Sequence, residues 1–365
     1  MTKACYVGVA GKARKVKKIY TGVANKARKV KKAYVGVGGK ARPFFSEEPE
    51  LSYYGTVTAL SQARNEGAAT TVGNYGLFGG GAGYIYKPIV DAYSSSLVRS
   101  TPTNLSQARR YLAATTVGNY GLFGGGFGPK SSGSANSRSN SSKVDAYSAS
   151  LVHSTPTELS RARSNLVATT VGNYGLFGGG YDARDISTVD AYSASLVRST
   201  PTNLSQARNS LAATTVGNYG LFGGGSSIVD AYSTSLVRSI PTALSEGRVN
   251  LAATTVGNYG LFGGGESSST VDAYNASLVR SSTTNLSQAR GYLAATTVGN
   301  YGLFGGGESS STVDAYSASL VRNTPTPLSK GGSSLAATTV GNYGLFGGGY
   351  ANNRPSDIVD AYTVV

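Results

Sequence analysis

The chain has no tryptophan and only one cysteine, one histidine and one methionine in 365 residues. Each shortage excludes a class of chemistry. A single cysteine, Cys5, leaves no partner for an internal disulfide and gives no sign of an oxidising compartment. One histidine and one cysteine cannot assemble the nitrogen and sulfur ligands that a transition metal needs, so no metal site and no cofactor are expected. Serine is plentiful, but no Ser–His–acid set can be drawn around His153, which stands where five other copies of a repeat carry arginine and reads as a surface substitution. No apolar run is long enough to span a bilayer, so no membrane insertion is expected. The first 43 residues lack any acid, carry 13 Lys or Arg, and have no apolar core of the kind a secretory signal needs. The remaining chain balances 20 basic against 18 acidic residues, so the net charge of +15 belongs mostly to this N-terminal stretch.

Glycine, by contrast, is abundant, at 50 residues, and it is periodic. The string Val-Gly-Asn-Tyr-Gly-Leu-Phe-Gly-Gly-Gly occurs seven times unchanged, starting at Val72, Val117, Val171, Val216, Val256, Val298 and Val340. Spacings of 45, 54, 45, 40, 42 and 42 residues mark a repeat architecture. Each copy predicts a hairpin. A small and β-branched strand such as Leu112–Val117 leads to a Gly-Asn turn that tolerates positive φ, and Tyr120–Phe123 returns. A variable gap, a Val-Asp-Ala-Tyr strand, a Ser-Ala-Ser turn and a Leu-Val-Arg-Ser strand complete the unit, and Leu-Ser-Gln-Ala-Arg leads into the next. Four strands per unit and seven units can close radially.

The glycine run after an apolar strand, the Val-x-x-Tyr strand after a variable gap and the Arg before the next first strand resemble the kelch repeat. The resemblance covers about residues 51–365 and implies an all-β, seven-bladed kelch-like β-propeller. The family's tryptophan is absent; Leu97, Leu151, Leu196, Leu236, Leu278 and Leu320 stand near its place with less area to bury. The copper oxidases built on kelch propellers need two histidine ligands, which this chain cannot supply. The seventh unit ends at Val365 without a fourth strand, while residues 51–58 precede the first Leu-Ser-Gln-Ala-Arg segment where a fourth strand lies elsewhere. The N-terminal side therefore should close the last blade, with 52–58 beside 359–364, which removes an open edge. The Asp repeated at 91, 145, 190, 230, 272, 314 and 360 reads as structural, paired with the Arg repeated at 64, 109, 163, 208, 248 and 290, while Gly332 breaks the arginine series. The repeated tyrosines, such as Tyr120 and Tyr147, read as packing between blades.

Residues 1–45 hold a second repeat of 14 residues, with Tyr6–Lys18 echoed at Tyr20–Lys32 and Tyr34–Arg42. Turns are expected at Ala10-Gly11, Ala24-Asn25 and Gly38-Gly39, and strands of about ten residues, such as Ala13–Val23, between them. A solvated basic tail, nucleic-acid binding and a β-rich docking segment are all compatible with this composition. The Tyr-x-Gly-Val-x-x-Lys-Ala-Arg-x-Val-Lys-Lys array resembles a short module of tail-associated virion proteins of phages of Gram-positive bacteria. That resemblance implies docking to other virion structural proteins, with Lys15, Lys17, Lys18, Lys29, Lys31 and Lys32 as docking residues. Residues 46–50, Ser-Glu-Glu-Pro-Glu, read as an acidic linker.

Two segments vary between the copies: the gap before Val-Asp-Ala-Tyr, and the residues after Leu-Ser-x-Ala-Arg. In a four-stranded antiparallel blade both emerge on one face, and varied loops on a constant scaffold are the usual basis of a binding surface. Its aromatic and basic residues are Tyr84, Tyr86, Arg110, Tyr111, Phe127, Tyr181, Arg184, Tyr292, Tyr350 and Arg354. The longest gap, Phe127–Lys143, is Ser/Asn-rich and expected to be mobile. The chain is thus expected to be a non-enzymatic component of a phage or tail-like particle, assembled in the bacterial host cytoplasm and carried in multiple copies on the virion exterior, with a face for host-surface glycan or protein. A capsid, neck or collar decoration protein, or a nucleic-acid-binding protein using residues 1–43, are the alternatives.

Overall fold

The computed structural model describes residues 6–9, 12–16, 18–23, 26–30, 32–37, 40–46, 50–130 and 137–365. Every regular element among them is a strand. They form two units: Met1–Glu50 with Val365, and Leu51–Val364.

The larger unit is a seven-bladed β-propeller. Its first blade pairs Ala68–Val72, Tyr75–Gly79, Val90–Ser94 and Arg99–Ser100 in chain order as an antiparallel sheet. Blades two to six repeat this order, beginning at Ala113, Val167, Leu211, Ala252 and Ala294. The seventh takes Ala336–Val340, Tyr343–Gly347 and Val359–Val364 from the C-terminal end and Leu51–Val57 from the other end of the unit. Val359 faces Val57 and Val364 faces Leu51 across this closing pair, with a bulge at Ala361/Tyr362. In the Gly-Asn turns the glycine alone takes positive φ, 52° at Gly73 and Gly118, the pattern of a type II′ hairpin.

Three contacts pass from blade to blade and return to the start. First, the first glycine of each Gly-Gly-Gly run receives the phenylalanine of the next blade. A Cβ on Gly79 would lie 2.6 Å from the Phe123 ring, one on Gly263 2.7 Å from Phe304, and one on Gly347 2.8 Å from Phe78, which closes the circle. Second, the Thr-Thr pair of every first strand joins a hydrogen-bond ring. Thr70 meets Thr116 at 2.9 Å, and the series runs through Thr115–Thr170, Thr169–Thr215, Thr214–Thr255, Thr254–Thr297 and Thr296–Thr339 to Thr71–Thr338. The second threonine of each pair donates to the preceding blade's backbone, as Thr215 does to Thr170 O at 2.6 Å. A hydroxyl has one proton, so the first threonine must donate to the second, and the ring runs in one direction. Third, Tyr93, Tyr147, Tyr192, Tyr232, Tyr274, Tyr316 and Tyr362 are fully buried. Each hydroxyl donates at 2.7 Å to a threonine carbonyl in the link before its blade.

The repeated aspartate is buried in every blade, and in six of them an arginine is buried beside it. Arg64–Asp91 is 2.6 Å, Arg163–Asp190 2.8 Å and Arg290–Asp314 2.8 Å, and the pairs Arg109–Asp145, Arg208–Asp230 and Arg248–Asp272 match them. Removing one member of such a pair strands a buried charge, at a cost of about 3–5 kcal/mol. A second arginine reaches the same carboxylate from the fourth strand, as Arg99 does at 2.8 Å. His153 corrects the sequence reading. It is not a plain surface substitution but fills that arginine's place, 2.7 Å from Asp145, with its ring 5.0 Å from that of Tyr147 and tilted by 45°. The six leucines near the missing tryptophan's place take left-handed backbone, φ 59° to 62°, in the turn between third and fourth strands.

In the smaller unit, Tyr6–Val9 pairs Lys12–Lys15, Ile19–Val23 pairs Lys26–Val30, and Lys32–Val37 pairs Lys40–Ser46. The ten-residue strand expected over Ala13–Val23 is instead two strands of separate hairpins. The expected turn residues at 10–11, 24–25 and 38–39 lie outside the described residues.

Two measurements check the fold. Deleting residues 1–45 should leave the melting temperature of the propeller unchanged, whereas deleting 1–57 should lower it markedly, because the last blade loses its outer strand; equal melting of the two truncations would contradict the closure. Burial, and then the neighbouring aspartate, raise the pKa of the seven interior tyrosines above the ordinary value of 10. A raised folded-state pKa favours the neutral phenol, so this stability is complete below pH 10 and lost as pH rises further. Absorbance at 295 nm should show these seven ionising only with alkaline unfolding; 25 tyrosines titrating together near pH 10 in a folded protein would refute it.

Candidate binding face

The two variable segments of a blade lie side by side. Backbone bridges join Asn65 to Ala82, Arg110 to Phe127, Ser164 to Tyr181, Arg248 to Ser226 and Ser333 to Tyr350. Just before each first strand one residue takes left-handed backbone: Glu66, Tyr111, Asn165, Ser210, Asn250, Tyr292 and Ser334, with φ 52° to 58°. These seven hand a backbone hydrogen bond from blade to blade at six of seven junctions, as Tyr111 N to Glu66 O at 2.9 Å and Glu66 N to Ser334 O at 3.1 Å. The backbone conformation of this ring is constant, while its seven side chains are drawn from four types: Glu once, and Tyr, Asn and Ser twice each.

The structure gathers four of the expected residues into one patch on blades one and two. Tyr86 meets Phe127 edge-on at 6.3 Å, and Arg110 lies over Tyr86 at 5.5 Å and over Tyr111 at 4.6 Å. Arg138 covers Tyr86 at 5.3 Å. Glu66 anchors the patch: one carboxylate oxygen is 2.9 Å from Arg110 and the other accepts from the Tyr111 hydroxyl at 2.8 Å. Burial, reinforced by Glu66, pushes the Tyr111 phenol up to about 12. Tyr84, 91% exposed, and Ile85 stand beyond it on the same loop with their apolar surface unspent.

The other expected residues belong to later blades of the chain. Tyr181 is half in solvent, next to Asp182, which is tied to Arg161 at 3.1 Å and to Asn140 at 3.2 Å. Arg184 is exposed at the tip of a tight turn in which Asp182 N donates to Arg184 O at 2.9 Å. Tyr292 donates to Glu266 at 2.9 Å, which raises its pKa, and Asn250 donates to the same oxygen at 2.7 Å. Tyr350 and the exposed Arg354 belong to a small hairpin, Tyr350–Ala351 against Arg354–Pro355. Glu66, Asn140, Asp182, Asn250 and Glu266 are not among the aromatic and basic residues expected on this face. The available signal was an acid or amide placed in the same variable segments. The mobility expected of 127–143 falls partly outside the described residues, at 131–136; its ends pair as Phe127–Pro129 with Arg138–Asn140. Among the docking lysines, Lys17, Lys31 and the Lys15 side chain are likewise outside them. Lys29 and Lys32 are exposed, and Lys18 lies 3.2 Å from Glu50 in solvent, a contact worth little. Among the described residues no group of three or more His, Cys, Asp or Glu could hold a metal ion.

A double-mutant cycle on Glu66→Gln and Tyr111→Phe should give a coupling of about 1 kcal/mol in urea unfolding. No coupling would mean that the carboxylate and the phenol do not meet in solution.

Comparison with protein-family models finds no match, and comparison with curated proteins finds none either. Among solved structures the fold is widespread, with 1072 matching chains, so it does not by itself select a function. One of them, titled "Structure of YjhT", superposes with a TM-score of 0.57 at 10% sequence identity, over 85% of this chain and 99% of its own. The chain is a seven-bladed β-propeller with an additional N-terminal unit whose described residues form three antiparallel strand pairs.

Proposed function

We propose that this protein is a non-enzymatic, kelch-like adhesion propeller carried on the exterior of a phage or tail-like particle. In this reading residues 1–45 dock it to other virion proteins. The observation that carries the reading is the division of labour among the seven copies. The strands, the Gly-Asn turns and the Asp–Tyr strand scarcely vary, while the ring of left-handed residues and the gap loops beside it change from blade to blade. Tyr, Arg and apolar groups left in solvent on that face, above all Tyr84, Ile85, Arg184 and Tyr350, supply the large area and directed donors that binding hot spots use. Tyr faces beside carboxylates and amides also suit sugar rings. The location on a virion rests on the resemblance of the basic 14-residue repeats to tail-associated modules.

Labelled full-length protein should sediment with Gram-positive cell-wall fractions. The triple variant Tyr84→Ala, Arg184→Ala, Tyr350→Ala should bind at least about tenfold more weakly with an unchanged melting temperature, because none of the three side chains is hydrogen-bonded or ion-paired among the described residues and hot-spot truncations cost about 1–2 kcal/mol each. Wild-type protein that binds no envelope fraction would overturn adhesion and favour a decoration role.

A further inference from the structure

The seventh blade repeats the buried carboxylate of the other six without its arginine. Asp360 is 2% exposed, and Gly332 stands where Arg64, Arg109, Arg163, Arg208, Arg248 and Arg290 stand elsewhere. The second cation is missing too: Tyr53 occupies the fourth-strand place of Arg99 and donates its hydroxyl to Asp360 Oδ1 at 2.7 Å. Ser329 N donates to the same oxygen at 3.1 Å. No group among the described residues donates to Oδ2, the oxygen that an arginine holds in six blades.

Part of the space of the absent side chain remains open to solvent. A narrow, solvent-open cleft with a cavity volume of about 10 Å³ is lined by Lys330, Gly332, Leu335, Gly348, Ile358 and Asp360. Its acceptors match those of a site that an arginine fills. In the fifth blade the Arg248 head donates to Gly264 O at 3.0 Å, to Thr270 O at 2.5 Å and to Asp272. The counterparts of those three residues in the repeat are Gly348, Ile358 and Asp360, and all three line the cleft. The backbone at Gly332 also keeps the arginine's arrangement: Gly332 N donates to Ser310 O at 3.1 Å and Gly307 N to Gly332 O at 2.7 Å, as around Arg290. A Cβ there would meet nothing nearer than Tyr350 O at 3.3 Å.

We propose that this cleft is a binding site for one alkylguanidinium group, taken from a free small molecule or from an arginine side chain of another protein. A buried carboxylate without a cation is unfavourable, and a guanidinium is planar, weakly hydrated and able to serve a carboxylate and two carbonyls at once. The apolar wall of Leu335 and the length left by the missing side chain favour a guanidinium on a short alkyl stem over a bare metal ion.

Melting temperature of the full chain tests this with agmatine, with urea as the neutral planar control, and with sodium chloride at matched ionic strength. Agmatine at millimolar concentration should raise the wild-type melting temperature saturably by about 2 °C, as a ligand bound only to the native state does. Urea and salt should not. Gly332→Arg should melt above wild type and lose the response; Asp360→Asn, if folded, should also lose it. An immobilised peptide ending in arginine amide separates the two sources. Capture of the wild-type protein, but not of Gly332→Arg, identifies a protein arginine, and an agmatine response without capture identifies a small molecule. An equal agmatine response in wild type and Gly332→Arg, or a Gly332→Arg variant that melts below wild type, would overturn the proposal. So would a response that appears only in Lys330→Met, since the chain's own ammonium would then fill the cleft.

Discussion

The phenylalanine that enters the glycine of the preceding blade is the contact on which the rest of the propeller depends. It sets how closely two blades approach, because a Cβ at any of the seven glycines would lie 2.6 to 2.8 Å from the incoming ring. At that separation the first strands stand near enough for threonine to bridge them, and the buried tyrosines reach the carbonyls of the preceding links. Packing interiors this dense respond sharply to added volume, so a methyl group at one glycine would be felt in two blades. The identity of the seven decapeptides follows from this: each copy must fit the next, and the last must fit the first.

Closure also concentrates the exceptions. The blade completed by residues from both ends of the unit is the one in which a glycine replaces the core arginine and a tyrosine replaces its second cation. Its carboxylate is served by Tyr53, whose phenol is pushed up to about 12 by burial and by that same acid. The seam therefore exchanges two ion pairs for one phenol, and leaves a cleft where six blades are filled.

Much of this was legible in the sequence because repetition does the work of an alignment within one chain. Seven copies in register gave the blade count, the four-strand unit, the closing strand near 52–58 and the Asp–Arg pairs. The purpose of the glycines was not legible, since the ring that demands them comes from another repeat some 45 residues away. Nor was the threonine ring, whose direction emerges only when each hydroxyl proton is assigned. His153 was misread because a single sequence position does not reveal that it faces Asp145. On the variable face the aromatic and basic residues were identifiable by type, but not that Glu66 would immobilise Arg110 and Tyr111 while Tyr84 and Arg184 stay open. The basic hairpins were half legible: their period was plain, but the break between Lys15 and Ile19 was not.

In the proposed reading the basic repeats hold a constant ring on a particle and the ring offers its changing loops outward. A cryo-EM map of an intact phage particle containing this chain tests it most directly. The account predicts density for residues 12–46 against a neighbouring virion protein and the ring of Glu66, Tyr111 and Tyr292 facing solvent. A map in which that ring is buried against the particle, or in which the basic hairpins lie on nucleic acid, would contradict it.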